Sequence, residues 1–169
     1  ILPNFHFYNN SEALIKDIES NFPKYIAEEE QKKAHKKLFE KGIPFTPDCF
    51  STYIAKEDEE ICNLFYEAGM SVNVRDAAGT PMLCIAARSG RKDMIEWLVD
   101  RGAEIDAISQ DRGYSAVMDA VWKSSLDIVD KLIKLGANLN FVSNDGQTAL
   151  IVATGASNPR ICELLVKNG

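Results

Sequence analysis

The chain has little of what enzymes and nucleic-acid binders are built from. Two histidines, His6 and His35, occur in its 169 residues, and neither stands at a usable spacing from a Cys, Ser or acidic partner for triad chemistry or metal binding. No Gly-x-x-x-x-Gly-Lys-Ser/Thr loop and no Gly-x-Gly-x-x-Gly fingerprint is present, which removes the common phosphate- and dinucleotide-binding devices. Basic charge is short: 19 Lys and Arg face 25 Asp and Glu, a net charge of −6, so nucleic acid is not an expected partner. No apolar run approaches the roughly 18 residues that span a bilayer, so membrane insertion is not expected. The four cysteines, Cys49, Cys62, Cys84 and Cys162, form no Cys-x-x-Cys pair, which argues against a zinc cage. No cofactor and no metal are therefore expected, and the chain does not read as an enzyme. An initiator Met is also lacking; Ile1-Leu2-Pro3-Asn4-Phe5-His6-Phe7-Tyr8 looks like a trimmed or processed end, which leaves a removed leader open.

What is there is ordinary in bulk. At 46% hydrophobic and 26% charged residues, the composition is that of a globular domain with one core. Lys32, Lys33, Lys36 and Lys37 are interleaved with Glu28, Glu29, Glu30 and Glu40. Glu28 with Lys32, and Glu29 with Lys33, have the acid-first, four-apart order of an exposed helix face. Glu57, Asp58, Glu59 and Glu60 precede a predicted helix, where negative charge suits the macrodipole. Each cysteine falls in a predicted helix as a small apolar residue, which favours a reducing compartment, the cytoplasm.

The informative feature is a repeat. Glu67-Ala68-Gly69-Met70-Ser71-Val72-Asn73 returns as Asp100-Arg101-Gly102-Ala103-Glu104-Ile105-Asp106, and again as Lys134-Leu135-Gly136-Ala137-Asn138-Leu139-Asn140. Gly69, Gly102, Gly136 and Gly169 fall 33, 34 and 33 residues apart, and Gly79, Gly113 and Gly146 keep the same beat. Such a period marks a stacked array whose core lies between neighbouring units, leaving one long face free to hold a partner.

The unit is most complete around Asp76-Ala77-Ala78-Gly79, which has turn chemistry. A short helix opened by Pro81 follows, with small Ala86 and Ala87 where a neighbour must come close. Gly90 ends it. Met94, Ile95, Leu98 and Val99 then mark a second helix at three-and-four spacing, stopped by Gly102. The next unit repeats the plan through Ala120, Val121, Ile128, Val129 and Leu132, and the last through Ala153, Ile161, Leu164 and Leu165. The last unit stops at its closing Gly169, with Arg160, Glu163 and Lys167 as its polar outer face, and a trimmed end is the expectation. Upstream the pattern degenerates. Tyr53 stands where later units have Ala86, Ala120 and Ala153, so residues 45–73 read as a capping unit. Ser11 to Phe22 and Tyr25 to Lys41 read as two helices separated by Pro23, covering the end of the stack with Ile18, Phe22, Leu38 and Phe39.

These residues resemble the ankyrin-repeat family in their period, their Gly-Ala and paired-Ala positions and their Val/Leu-rich second helices; the likeness covers Phe45 to Gly169. The family's Thr-Pro-Leu-His is replaced by Pro81-Met82-Leu83-Cys84, Ser115-Ala116-Val117-Met118 and Thr148-Ala149-Leu150-Ile151. Losing the Thr and His hydrogen bonds in two units should loosen the turns, so modest stability is expected. The start of the array looks like that of bacterial ankyrin proteins. The resemblance implies an all-α solenoid of helix-turn-helix units with turn fingers, one concave face lined by fingers and first helices, and protein binding on it. The expected domains are a helical cap, 1–44, and an array, 45–169, divided at 74–106, 107–140 and 141–169.

A residue that breaks the recurrence without aiding packing is the place to look for a partner. Trp122 stands where Arg88 follows Ala86-Ala87, either as a groove anchor or packed over an adjacent helix end. Tyr114 corresponds to Thr80 and Gln147 on the turn fingers, and aromatic side chains anchor interfaces well. The same mapping places Arg75, Ala77 and Ala78 on the first finger, Asp111 and Arg112 on the second, and Asn144, Asp145 and Gln147 on the third. Arg88, Asp119, Lys123 and Thr154 complete a polar rim. Trp97, in a second helix opposite Lys131 and Leu164, reads as convex-side packing rather than an anchor. The expected partner is a protein or peptide held by a monomer; an assembly segment of a larger protein is the alternative.

Overall fold

The computed structural model describes residues 11–169, so His6 and the Ile1–Tyr8 stretch lie outside the described residues. Among these, regular structure is helical: α1 (Ser11–Glu40), α2 (Pro47–Lys56), α3 (Glu59–Glu67), α4 (Met82–Ser89), α5 (Lys92–Asp100), α6 (Ala116–Trp122), α7 (Leu126–Lys134), α8 (Ala149–Gly155) and α9 (Pro159–Asn168). One isolated antiparallel bridge joins Arg75 to Pro81.

Local chemistry sets the helix ends. Thr46 caps α2 by accepting from the Cys49 N–H, ahead of Pro47. Asp58 does the same for α3 through Ile61, so the acidic run serves the helix start as expected. Thr148 caps α8, and Asn158 caps α9 ahead of Pro159. These side chains satisfy donors that the first turn leaves open, and Pro costs nothing where no partner is needed. Gly90 closes α4 at φ 73°, a left-handed position that a Cβ would strain.

The helices stack in two rows. α2, α4, α6 and α8 pack in succession as an inner row; α5, α7 and α9 continue an outer row begun by α3, and each hairpin joins the two. The core lies between the rows, with Phe50, Ile54, Phe65, Met82, Met94, Ile95, Leu98, Met118, Leu132 and Ile161 inaccessible to solvent. Fully burying a side chain of this size contributes roughly 1.5–3 kcal/mol each. Ala86, Ala87, Ala120 and Ala153 are fully buried, the close approach that the sequence implies. The Asn or Asp ending the first two repeated motifs links neighbouring units. Asn73 donates to the Gly102 carbonyl at 3.0 Å and accepts from the Glu104 N–H at 2.9 Å; Asp106 accepts from the Asn138 N–H at 2.8 Å.

Three expectations about the flanks change or sharpen. α1 is one helix running through Pro23, not two. The proline removes the N–H that would bond the Glu19 carbonyl, but that turn is solvent-exposed, so water can take its place. The cap also works differently: Ala34 and Leu38 are buried as α1 packs on α3, whereas Ile18 and Phe22 are exposed and Phe39 is 84% exposed. Leu38 and Phe39 are adjacent on a helix, so both cannot face the stack. Gln31 adds a 3.0 Å hydrogen bond to the Ala68 carbonyl. On the exposed charged turn, Lys32 pairs with Glu29 at 2.9 Å, three residues apart rather than four. Trp97 packs against Phe50 and Tyr66, donates its indole N–H to Asn63 at 2.9 Å and lies under Arg101.

Candidate functional site

The turn fingers stand beside the inner row. The first and third close alike: Gly79 N–H bonds the Asp76 carbonyl and Gly146 N–H the Ser143 carbonyl. The second is one residue longer, and Gly113 N–H reaches back four residues to the Ser109 carbonyl at 2.9 Å. The Gly79 to Gly113 interval of 34 residues, against 33 from Gly113 to Gly146, is the sequence signal of that insertion. The lengthened turn carries Asp111 and Arg112.

Arg88, near the end of α4, organises the middle of the face. Its guanidinium grips Asp111 with both Nη atoms, at 2.7 and 3.0 Å, and its Nε donates to Asp119 Oδ2 at 2.9 Å. One side chain thus ties α4 to the second finger and to α6. The hydrogen bonds from Arg88 hold the Asp111 carboxyl down at about 2, against the smaller effect of burial. Asp119 goes the other way, because its burial outweighs Arg88 and raises its pKa. Burial works against the charge on Arg88, but the two aspartates prevail and raise its pKa.

Cys84 occupies the position of the family-pattern His, with its thiol 3.7 Å from the Ala107 carbonyl oxygen and 3.8 Å from that of Tyr114. A weak S–H donor therefore faces the finger backbone where a stronger donor is missing. Burial, and then the Asp119 charge, push this thiol's pKa up, which makes it a packing group rather than a nucleophile. Ser115, at the position of the pattern Thr, makes no capping bond, and its buried hydroxyl has no partner among the described residues.

Tyr114 and Trp122 frame an open groove of about 570 Å³ lined also by Gln147, Ile151, Val152, Gly155 and Ala156. Trp122 is 54% exposed at the end of α6. Tyr114 is half-buried; its hydroxyl donates to Gln147 Oε1 at 2.7 Å, and Gln147 Nε2 donates to Asp145 at 2.9 Å. Asp145 also accepts from the Ser143 hydroxyl. Gly155 stands where Arg88 and Trp122 stand in earlier units, and a Cβ added there would meet open space. That missing side chain opens the groove.

Arg88, Asp111, Arg112, Tyr114, Trp122, Asp145 and Gln147 thus gather at one place, with Lys123 and Asn144 exposed beside them. Two expected contact residues are corrected. Asp119 is 0% exposed and Thr80 is 1% exposed, so neither is part of the surface that the free, folded chain presents. Asp119 aligns with the apolar Ile85 and Val152, a signal that its side chain points inward. Thr80 shares its position with Tyr114 and Gln147, whose longer side chains emerge where its own stays covered. Arg75 is a strut, donating to the Gly79 and Ile108 carbonyls at 2.9 and 2.6 Å. Ala77 and Ala78 are exposed farther along the stack, and the Ala77 N–H is taken by Asp48 at 2.8 Å.

A two-row helical stack with turn fingers over a solvent-open groove defines a repeat solenoid built as a binding scaffold. The family model for ankyrin repeats matches residues 50–143 and 109–169, and the chain belongs to the ankyrin-repeat family. It is 34% identical over 146 residues to an ankyrin repeat-containing protein of the bacterium Treponema pallidum, covering 86% of this chain and 49% of that protein. It is 33% identical over 100 residues to the mouse B-cell lymphoma 3 protein homolog, covering 59% of this chain and 22% of the relative. Against the Xenopus laevis inhibitor of Bruton tyrosine kinase the figures are 27% over 92 residues, 54% of this chain and 7% of the relative. The chain therefore spans about half the length of the first relative and much less of the others. Ankyrin repeats are protein–protein interaction modules. Among the described residues, no helix is long and apolar enough to cross a membrane.

Proposed function

We propose that the chain holds a protein partner on its inner face, with a segment of that partner seated in the groove between the second and third fingers. The observation that carries this reading is the half-exposed Trp122 beside a recess floored by Gly155 and Ala156. A large rigid aromatic next to a vacant slot is the usual build of an interface anchor. Tyr114, Gln147 and Asp145 already bond one another, so they present a pre-ordered polar edge whose side-chain entropy is partly lost before binding. Arg112, Lys123 and Asn144 supply the rim, while Arg75, Ala77 and Ala78 extend the surface toward the first finger. The relative named as a kinase inhibitor acts on another protein, in keeping with such a role. The acidic net charge supports a partner other than nucleic acid, and the free, scattered cysteines support a reducing, cytoplasmic setting and a monomer.

The test is quantitative capture of partners from lysate of the source cell, with three chains compared. Gly155→Gln fills the groove at a helical site where a side chain meets nothing; Tyr114→Ala with Trp122→Ala removes its walls. A protein retained by the parent chain and reduced at least about tenfold by both variants, at unchanged circular dichroism, is the expected result. Equal retention by all three sinks the groove reading. It would favour an assembly segment of a larger protein, a second reading prompted by relatives that extend well past the matched region.

A further inference from the structure

We propose that the Trp122 ring, at the edge of this groove, receives an arginine side chain of the partner, in the place that the chain's own Arg112 fills in the free protein. This deepens, and rests on, the inner-face reading above.

The starting observation is Asp119. A carboxylate taken wholly out of water needs partners for both oxygens. Arg88 serves Oδ2, whereas Oδ1 is buried and has no hydrogen bond among the described residues. Its nearest cationic atom after Arg88 is Arg112 Nη1, at 3.9 Å, which is ion-pair range but too far for a hydrogen bond. The thiol of Cys84 lies beside the same carboxylate and is at best a weak donor. A strong acceptor is thus left facing a guanidinium that does not quite reach it.

Arg112 is held loosely in every other respect. Its guanidinium carbon sits 4.6 Å from the centroid of the Trp122 ring, a cation–π contact. No hydrogen bond from its side chain is made within the described residues, and the side chain is 41% exposed. It arrives on the finger that carries the extra residue, and the residues before the closing Gly of the first and third fingers, Ala78 and Asp145, are not cations. The Trp122 ring on which Arg112 lies also lines the adjoining groove.

Charge decides which partner group fits. Asp111 has both oxygens on Arg88, and Asp119 shares that same cation. With Arg112 swung out to solvent, one sealed and one surface carboxylate, Asp119 and Asp111, face one guanidinium, leaving one negative charge uncompensated. A partner arginine laid across Trp122 would restore it, stack its plane on the indole and donate to Asp119 Oδ1. Lys123 lies on the exposed side of the same turn and Asp145 across the groove, so the charges bordering the seat are mixed and the buried oxygen gives the preference.

The experiment uses N-acetyl-arginine amide as the probe and N-acetyl-citrulline amide as its uncharged isostere. The Trp122 indole N–H is followed by nitrogen-15 NMR, with the buried Trp97 indole as an internal control of folding. In Arg112→Gln the arginine probe should shift the Trp122 resonance saturably, at least about tenfold more tightly than in the parent chain, with no matching effect from citrulline. Adding Asp119→Asn should abolish the preference. Arg112→Ala repeats the test should Gln itself occupy the seat. Equal response to both probes, no gain on removing Arg112, or indifference to Asp119→Asn overturns the proposal. The two readings fail separately. A partner still lost on Gly155→Gln while the probe does not bind removes the arginine seat alone; probe binding with a partner indifferent to the groove variants removes the groove reading alone.

Discussion

Asp111 and Asp119 bind the same guanidinium, yet folding moves their acidities in opposite directions because one is at the surface and the other is sealed. For Asp111 the folded carboxyl sits at about 2 against an ordinary 3.8, so the folded state gives up the proton more readily. Its contribution to stability is therefore present above the ordinary value and lost as pH falls from about 3.8 toward about 2. Asp119, raised by burial, has the opposite sign: it takes stability away as pH rises above its ordinary range. Thermal melts of the parent chain and Asp111→Asn across the acid range isolate the first effect. The parent should lose stability more steeply over that window, and parallel curves would show that the Arg88 grip does not depend on charge. Trp122 and Tyr114 were legible as candidates because they interrupt a recurring pattern. The fate of Asp119 was half legible: its alignment with Ile85 and Val152 marks an inward position, but nothing local names Arg88 as the group that holds it.

Among the elements, α1 departs most from its sequence. Pro23 reads as a break because it removes a donor and crowds the preceding turn, but the helix continues through a stretch where Leu14, Ile15, Ile18, Phe22, Tyr25 and Ile26 are all exposed. With no packing to lose, a missing bond is made good by water. Pro23→Ala should then raise the helical signal in far-UV circular dichroism, since Pro costs about 3 kcal/mol relative to Ala in a helix interior. The melting temperature should stay where it is, because the buried anchors of α1, Ala34 and Leu38, lie beyond that segment. A rise of several degrees would mean that the first half of α1 is bound into the core. α2, α3, α8 and α9, by contrast, follow their caps closely, because Thr46, Asp58, Thr148 and Asn158 each bond a donor three residues on.

Across the whole molecule, stability is shared between neighbouring units rather than held in one centre. Units in the middle are covered on both sides: Val117 and Met118 of α6 are each 1% exposed. Their counterparts in the last unit, Leu150 and Ile151, are exposed, as is Val166 of α9. Hydrogen exchange should therefore be slowest in α4 to α7, faster in α8 and α9, and fastest in the first half of α1. Uniform protection along the stack would contradict this and point to one all-or-none unit.

Period, turn positions and family membership were determined by the sequence alone, because the stop and turn residues of each unit act locally and recur every 33 or 34 residues. Glycines stop α3, α4, α5 and α7, side-chain caps start α2, α3, α8 and α9, and three-and-four spacing sets the buried side of the outer-row helices. The tertiary structure decided what the inner face offers. Arg88 meets Asp111 and Asp119 across 23 and 31 residues, and Tyr114 meets Gln147 across 33, so which polar groups are sealed, paired or left open follows from how one unit settles on the next.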